Sequence, residues 1–193
     1  MNQNYKKYSF YLLMSLLITC LGAFVGSFIN KVNIYLYVPL SFILLFAFFL
    51  TKGNAKKIVF LIFCYGEGLL LSPIIKTYSY TSLTNCLIIT ILTTAVFLFI
   101  GLRSKDLSYL KNILFMSLLS FLIFQILKIF LPIPSLSFIG VLIFCGYIAY
   151  DINNFKIAEK SGHLSNDDIL LFVMDMYLNL INLFIDLLDV LDN

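Results

Sequence analysis

Residues 168–191 read DILLFVMDMYLNLINLFIDLLDVL, and the polar side chains in this apolar run are evenly spaced. Asp175, Asn179, Asn182, Asp186 and Asp189 follow one another at intervals of four, three, four and three. At about 100° per residue, all five fall within roughly 80° of one helix face. The rest of the helix is Leu, Ile, Phe, Val, Met and Tyr. An ionised carboxylate cannot face lipid cheaply, so an apolar helix with a carboxylate-lined seam belongs in a membrane bundle with a polar interior. The pattern predicts six further helices around this seam.

Composition points the same way. Of 193 residues, 61% are hydrophobic and 12% charged, against about a quarter charged in soluble chains. The expectation is an all-α, polytopic integral membrane protein in contact with lipid. The net charge of +3 is modest. With no basic run and no zinc or RNA-binding pattern, nucleic acid is not expected as a partner. Cys20, Cys64, Cys86 and Cys145 each stand alone in an apolar segment with no CxxC pair; they read as small core or lipid-facing residues. Lys6 and Lys7 precede an apolar run as in a secretory signal, and Cys20 stands where a lipoprotein would be cleaved. Thr19 is wrong for that cleavage, however, and the apolar run continues to Ile29, so a retained first helix is expected.

Stretches of about 17 to 25 apolar residues bounded by charges and turn formers give seven spans: 8–29, 33–50, 57–75, 82–102, 110–131, 134–153 and 168–191. The connections are short, the longest being 156–167, and a single domain over 1–193 is expected. The positive-inside rule orients them. Lys6, Lys7, Lys52, Lys56, Lys57, Arg103, Lys105, Lys111, Lys156 and Lys160 fall on the side of the N-terminus, and only Lys31, Lys76 and Lys128 fall opposite. The N-terminus is therefore expected in the cytoplasm and the C-terminus outside. Gly22 and Gly26 form a GxxxG pair suited to close helix packing. Pro39 and Pro73 lie inside spans and are expected to kink or open them.

Glu67, Lys128, Asp151, Asp175 and Asp186 are ionisable residues within or near the hydrocarbon region. Lys128 is near its helix end and can snorkel to the surface. At about 1.5 Å per residue, Glu67 lies roughly 15 Å from the cytoplasmic end of its helix, Asp175 and Asn179 roughly 11 and 17 Å, and Asp151 roughly 3 to 6 Å. These groups occupy the cytoplasmic half of the bundle. If their helices are neighbours, the carboxylates converge, cannot all be ionised and share protons near neutral pH. Asp, Asn and Glu supply the oxygen atoms that suit calcium or a proton relay, with Asp151 and Asp175 as candidate calcium ligands. The bland alternative is that protonated acids merely bond helix to helix. Asp186, near the outer surface, reads as hydrated, and His163 as a solvated loop residue.

Four stretches carry a resemblance. Ser104-Lys105-Asp106-Leu107-Ser108-Tyr109-Leu110, Phe144-Cys145-Gly146-Tyr147-Ile148-Ala149-Tyr150-Asp151, Tyr177-Leu178-Asn179-Leu180-Ile181-Asn182-Leu183-Phe184 and Gly66-Glu67-Gly68-Leu69-Leu70-Leu71-Ser72-Pro73 together resemble the Bax inhibitor family, the transmembrane Bax inhibitor motif proteins. The resemblance runs from the second helix onward. It implies seven helices with the last at the centre and, in bacterial members, a pH-sensitive calcium leak closed by a hydrogen-bonded pair of aspartates from the sixth and seventh helices. Asp151 matches the first aspartate by its Tyr-Asp setting. The second falls on Asn179, where the family pattern is Leu-Tyr-Leu-Asp. Asn does not titrate, so a two-carboxylate switch is absent from this pair, and Asp175, one turn earlier on the same face, is the candidate replacement. The family's basic residue near the end of the second helix has no clear counterpart among Lys52, Lys56 and Lys57.

The expected function is thus a proton-gated calcium leak using Asp151, Asn179, Asp175 and Glu67, with Asn182 and Asp186 as a supporting polar stripe. Calcium is the transported ion and no cofactor is expected. Two alternatives use the same chain: a regulator of other membrane proteins, such as a membrane-bound ATP-dependent protease, and an H+-coupled cation exchanger. Facing aspartates also resemble intramembrane aspartyl proteases. Phe172, Val173 and Met174 before Asp175 do not fit the Gly-x-Gly-Asp of those enzymes, and no Pro-Ala-Leu follows, so no enzyme is expected. A composition rich in Ile, Lys, Asn and Phe points to a bacterial inner membrane.

Overall fold

Lipid offers no partner to backbone N–H and C=O groups, so each apolar run must close its own hydrogen bonds. All seven predicted spans are helices: α1 Gln3–Ser27, α2 Ile34–Leu50, α3 Gly53–Ile75, α4 Tyr80–Arg103, α5 Leu110–Phe130, α6 Ser137–Lys160 and α7 Asn166–Asp192. The computed structural model describes residues 3–29, 34–131, 135–162 and 164–192, and no strand occurs among them. Lys31, Asn33, Pro134 and His163 lie outside the described residues. Six helices are long and apolar enough to cross a membrane. The seventh, α2, is equally apolar but has 17 residues.

Several boundaries differ from expectation. α3 begins at Gly53, ahead of the predicted start at Lys57. Gly53 takes φ +60°, a left-handed conformation that costs glycine little, and the Asp167 carboxylate accepts its N–H at 3.0 and 3.1 Å. α6 continues to Lys160, so the long connection predicted over 156–167 shortens to residues 161–165. Gly162, at φ +78°, ends α6. α7 opens with reciprocal capping: Ser165 Oγ accepts the Asp168 N–H at 3.1 Å, and the Asp168 carboxylate accepts the Ser165 N–H at 2.9 Å. Pro39 and Pro73 sit inside α2 and α3 without interrupting them, and Lys128 is exposed in the last turn of α5, as snorkelling requires.

The helices gather into two compact units, Met1–Ser79 with Leu164–Tyr177, and Tyr80–His163 with Leu178–Asn193. α7 contributes to both. In the first unit, α1 and α3 approach to backbone distance through glycines. A Cβ on Gly22 would strike the Tyr65 carbonyl, one on Gly68 the Thr19 carbonyl, and one on Gly26 would lie 2.7 Å from Ser72 Cβ. The GxxxG pair is thus a packing device. Phe48 of α2 meets Phe60 of α3 at a tilt, with ring centroids 5.8 Å apart. The buried Lys56 lays its ammonium over Phe48, 4.7 Å from the ring centre, where a cation and a ring face attract each other.

In the second unit, α4 meets α6 where Gly101 faces Ala149; a Cβ at 101 would overlap the Ala149 carbonyl. α5 packs on α6 through Phe121 and Phe144, edge to face with centroids 6.3 Å apart. Of the six long helices, α6 and α7 are the most buried.

Candidate functional site on the sixth and seventh helices

Asp151 lies in the middle third of α6, about 14 Å from the helix end at Lys160 rather than the 3 to 6 Å expected, because the helix continues past the predicted end of its span. Ile148, Ala149, Ile152 and Phe155 around it are buried, and so is Asp151 itself. A carboxylate withdrawn from water needs partners, because desolvation without a hydrogen bond costs several kcal/mol. Asn179 of α7, also buried, supplies one: its Nδ2 donates to Asp151 Oδ2 at 2.5 Å. The sequence reading paired these two residues, and the structure brings them together within the second unit. The bond joins an acid to an amide, so a single titratable group stands at this contact.

Two residues beyond Asp151, Asn153 is fully buried. Its amide donates to the Gly101 and Ser104 carbonyls, each at 2.9 Å, and its oxygen accepts the Leu107 N–H at 3.0 Å. Lys156 donates to the Leu102 carbonyl at 3.1 Å and also to that of Ser104. Together they satisfy the Gly101 and Leu102 carbonyls left over at the C-terminus of α4 and tie the C-terminal half of α6 to the 104–109 loop. The sequence reading passed over Asn153. Its one signal was an uncharged polar residue two positions from Asp151, about 200° round the helix and so on another face.

The other members of the α7 stripe take separate partners. Asn182 turns back to donate to its own helix at the Leu178 carbonyl, 2.8 Å away. Asp186 is buried rather than hydrated, at 6% exposure. The reason is Gly140 of α6: a Cβ there would overlap the Asp186 carboxylate, so the absent side chain leaves the room this acid occupies. Asp189 accepts from the Ser135 and Ser137 hydroxyls, a pair of serines that the sequence reading did not single out.

In the first unit, Glu67 of α3 is half-buried. Asp175 is exposed and, with Leu164, Asp168, Leu171 and Phe172, lines a recess of about 270 Å³. Tyr177, fully buried, packs edge-on against Phe60 and Phe63 and shares a 2.7 Å hydrogen bond with Thr19 of α1. No group of three or more His, Cys, Asp or Glu side chains able to hold a metal ion occurs among the described residues.

These features define a polytopic helical membrane protein whose last two helices are joined by a buried carboxylate–carboxamide pair. The family model described as inhibitor of apoptosis-promoting Bax1 matches residues 1–193, and the chain belongs to this Bax inhibitor family. It is 28% identical over 166 residues to an uncharacterized membrane protein of Streptococcus pyogenes serotype M3, covering 79% of this chain and 72% of that one. Over 152 residues it is 27% identical to the inner membrane protein YbhL of Escherichia coli strain K12, covering 74% of this chain and 65% of YbhL. The protein LIFEGUARD 1 of Arabidopsis thaliana is 38% identical over 96 residues, which span 47% of this chain and 39% of LIFEGUARD 1.

Proposed function

We propose that the protein is a pH-sensitive calcium leak of a bacterial inner membrane, with its N-terminus in the cytoplasm and its C-terminus outside. The observation that carries the reading is the buried 2.5 Å bond from Asn179 to Asp151. It fastens α7 to α6 at the one carboxylate of that contact, so the strength of the closure depends on the charge of Asp151. With Asp151 ionised, the amide donates to an anion, and such a bond is stronger than its neutral counterpart by about 1 kcal/mol. Protonation removes that margin and shifts the balance roughly fivefold toward separation. Acidification therefore opens the leak. Within the first unit, the exposed Asp175 offers a carboxylate oxygen of the kind calcium takes. Calcium is cargo here, and every lasting contact is made by the chain itself.

Calcium uptake into proteoliposomes, followed from mildly alkaline to mildly acidic pH, tests this. Uptake is expected to rise on acidification in the native protein and to be raised and flat across pH in Asp151→Asn. A native protein that passes no calcium removes the leak reading, and a variant with the native pH response removes Asp151 as its sensor.

A further inference from the structure

A second acidic place on α6 and α7 lies away from the Asp151–Asn179 contact. Asp186 follows Asn179 by seven residues, about 10 Å along the α7 axis. It is buried at 6% exposure, and its Oδ2 has no hydrogen-bond partner among the described residues. Buried polar groups are almost always satisfied, and one that is not calls for a missing water or ion. The neighbourhood favours an ion. Asp189 is the next acid on the same α7 face, three residues on, a spacing that sets Cβ atoms about 5 to 6 Å apart. Ser137 and Ser135, at the start of α6, donate to Asp189, and their hydroxyls lie 2.7 Å from each other. Gly140, one turn further along α6, makes the space for the Asp186 carboxylate; a Cβ there would stand 2.7 Å from Asp186 Cγ.

We propose that Asp186, Asp189, Ser135 and Ser137 form a binding site for a divalent calcium ion, with the unpartnered Asp186 oxygen as its innermost ligand. Two carboxylates match the charge of the ion. With two hydroxyls they offer six oxygens, the lower end of the six to eight that calcium takes. The small hydroxyls bring oxygen close without bulk, and the bare Cα of Gly140 lets the inner carboxylate turn toward α6. The site needs no conduction to exist, so its test reads binding.

Calcium titrated by calorimetry into the purified protein provides that test, in an Asp151→Asn background that silences the other acidic contact. One calcium ion per chain is expected to bind, and Asp186→Asn or Asp189→Asn added to that background is expected to weaken it at least about tenfold. Ser135→Ala combined with Ser137→Ala removes two ligands and no charge, and gives the same reading should an acid variant fail to fold. Absence of calcium binding in the Asp151→Asn protein, or binding untouched by these substitutions, overturns the site. So does an infrared carboxylic-acid band that vanishes in Asp186→Asn yet ignores added calcium, since Asp186 would then hold a proton in place of the ion. A calcium site that survives in a protein without calcium flux would remove the leak and leave this inference standing.

Discussion

Asn179 donates to Asp151 across α7 and α6 at 2.5 Å, so one acid faces one amide at this contact. Asn179→Asp places a second carboxyl group at hydrogen-bond distance. Two acids that close share protons and titrate as a pair. Calcium flux against pH is expected to change from a single ionisation to a steeper, two-proton profile, and an unchanged profile would show that this contact does not set the response. Asn179→Leu leaves the buried Asp151 without that donor and is expected to cost about 1 to 3 kcal/mol in unfolding experiments in detergent.

Asn153 spends its whole side-chain amide on Gly101, Ser104 and Leu107. Asn153→Ala leaves the Leu107 N–H without that acceptor inside the second unit. A loss of about 1 to 3 kcal/mol is expected, together with faster hydrogen exchange at the Leu107 amide. If that amide keeps its native protection, the tie between α6 and the 104–109 loop is not what orders the loop.

The glycines of the first unit separate by environment. Gly22→Ala pushes a methyl group into the Tyr65 carbonyl, and overpacking of this kind costs about 1 to 3 kcal/mol. Gly66, with nothing within 4 Å of its would-be Cβ, has room for one. Gly66→Ala is expected to gain up to about 1 kcal/mol from helix propensity alone. Thermal unfolding of the two variants should move in opposite directions.

Asp106, in the loop before α5, accepts from the Ser108 N–H at 2.8 Å and the Ser108 hydroxyl at 2.5 Å. The Ser108 hydroxyl, followed by the amide, holds its carboxyl below the usual aspartate range. A value depressed in the folded state means that this turn is fully stabilised above the ordinary aspartate pKa and loses that contribution as pH falls through the lowered one. The Ser108 amide chemical shift is expected to follow that acid transition in the native chain and to show none in Asp106→Asn.

The seam on α7 was legible because 3.6-residue periodicity is a property of one helix, and the pairing of Asp151 with Asn179 followed from family-like motifs on two. What escaped depended on a second helix. Asp186 read as a hydrated acid near the surface, since the vacancy that buries it is made by Gly140 on α6. Asn182 shares the polar face by spacing, yet its amide finds a nearer acceptor in the Leu178 carbonyl. The polar residues from Asn153 to Lys160 looked like the end of a span, whereas Asn153 and Lys156 are needed by the carbonyls that finish α4. A single chain pattern shows which face is polar, and the partner decides what each polar group does there.

Tyr177 fills a slot between Phe60, Phe63 and Thr19 and is among the last residues of the first unit to be synthesised. A ribosome inserting this protein releases α1, α2 and α3 into the bilayer long before α7 emerges. Acyl tails can fill the vacant slot in the meantime, but they cannot answer the Thr19 hydroxyl as the tyrosine does. A nascent chain stalled ahead of α7 therefore carries an unfinished aromatic notch, and completion of the first three helices waits on the seventh.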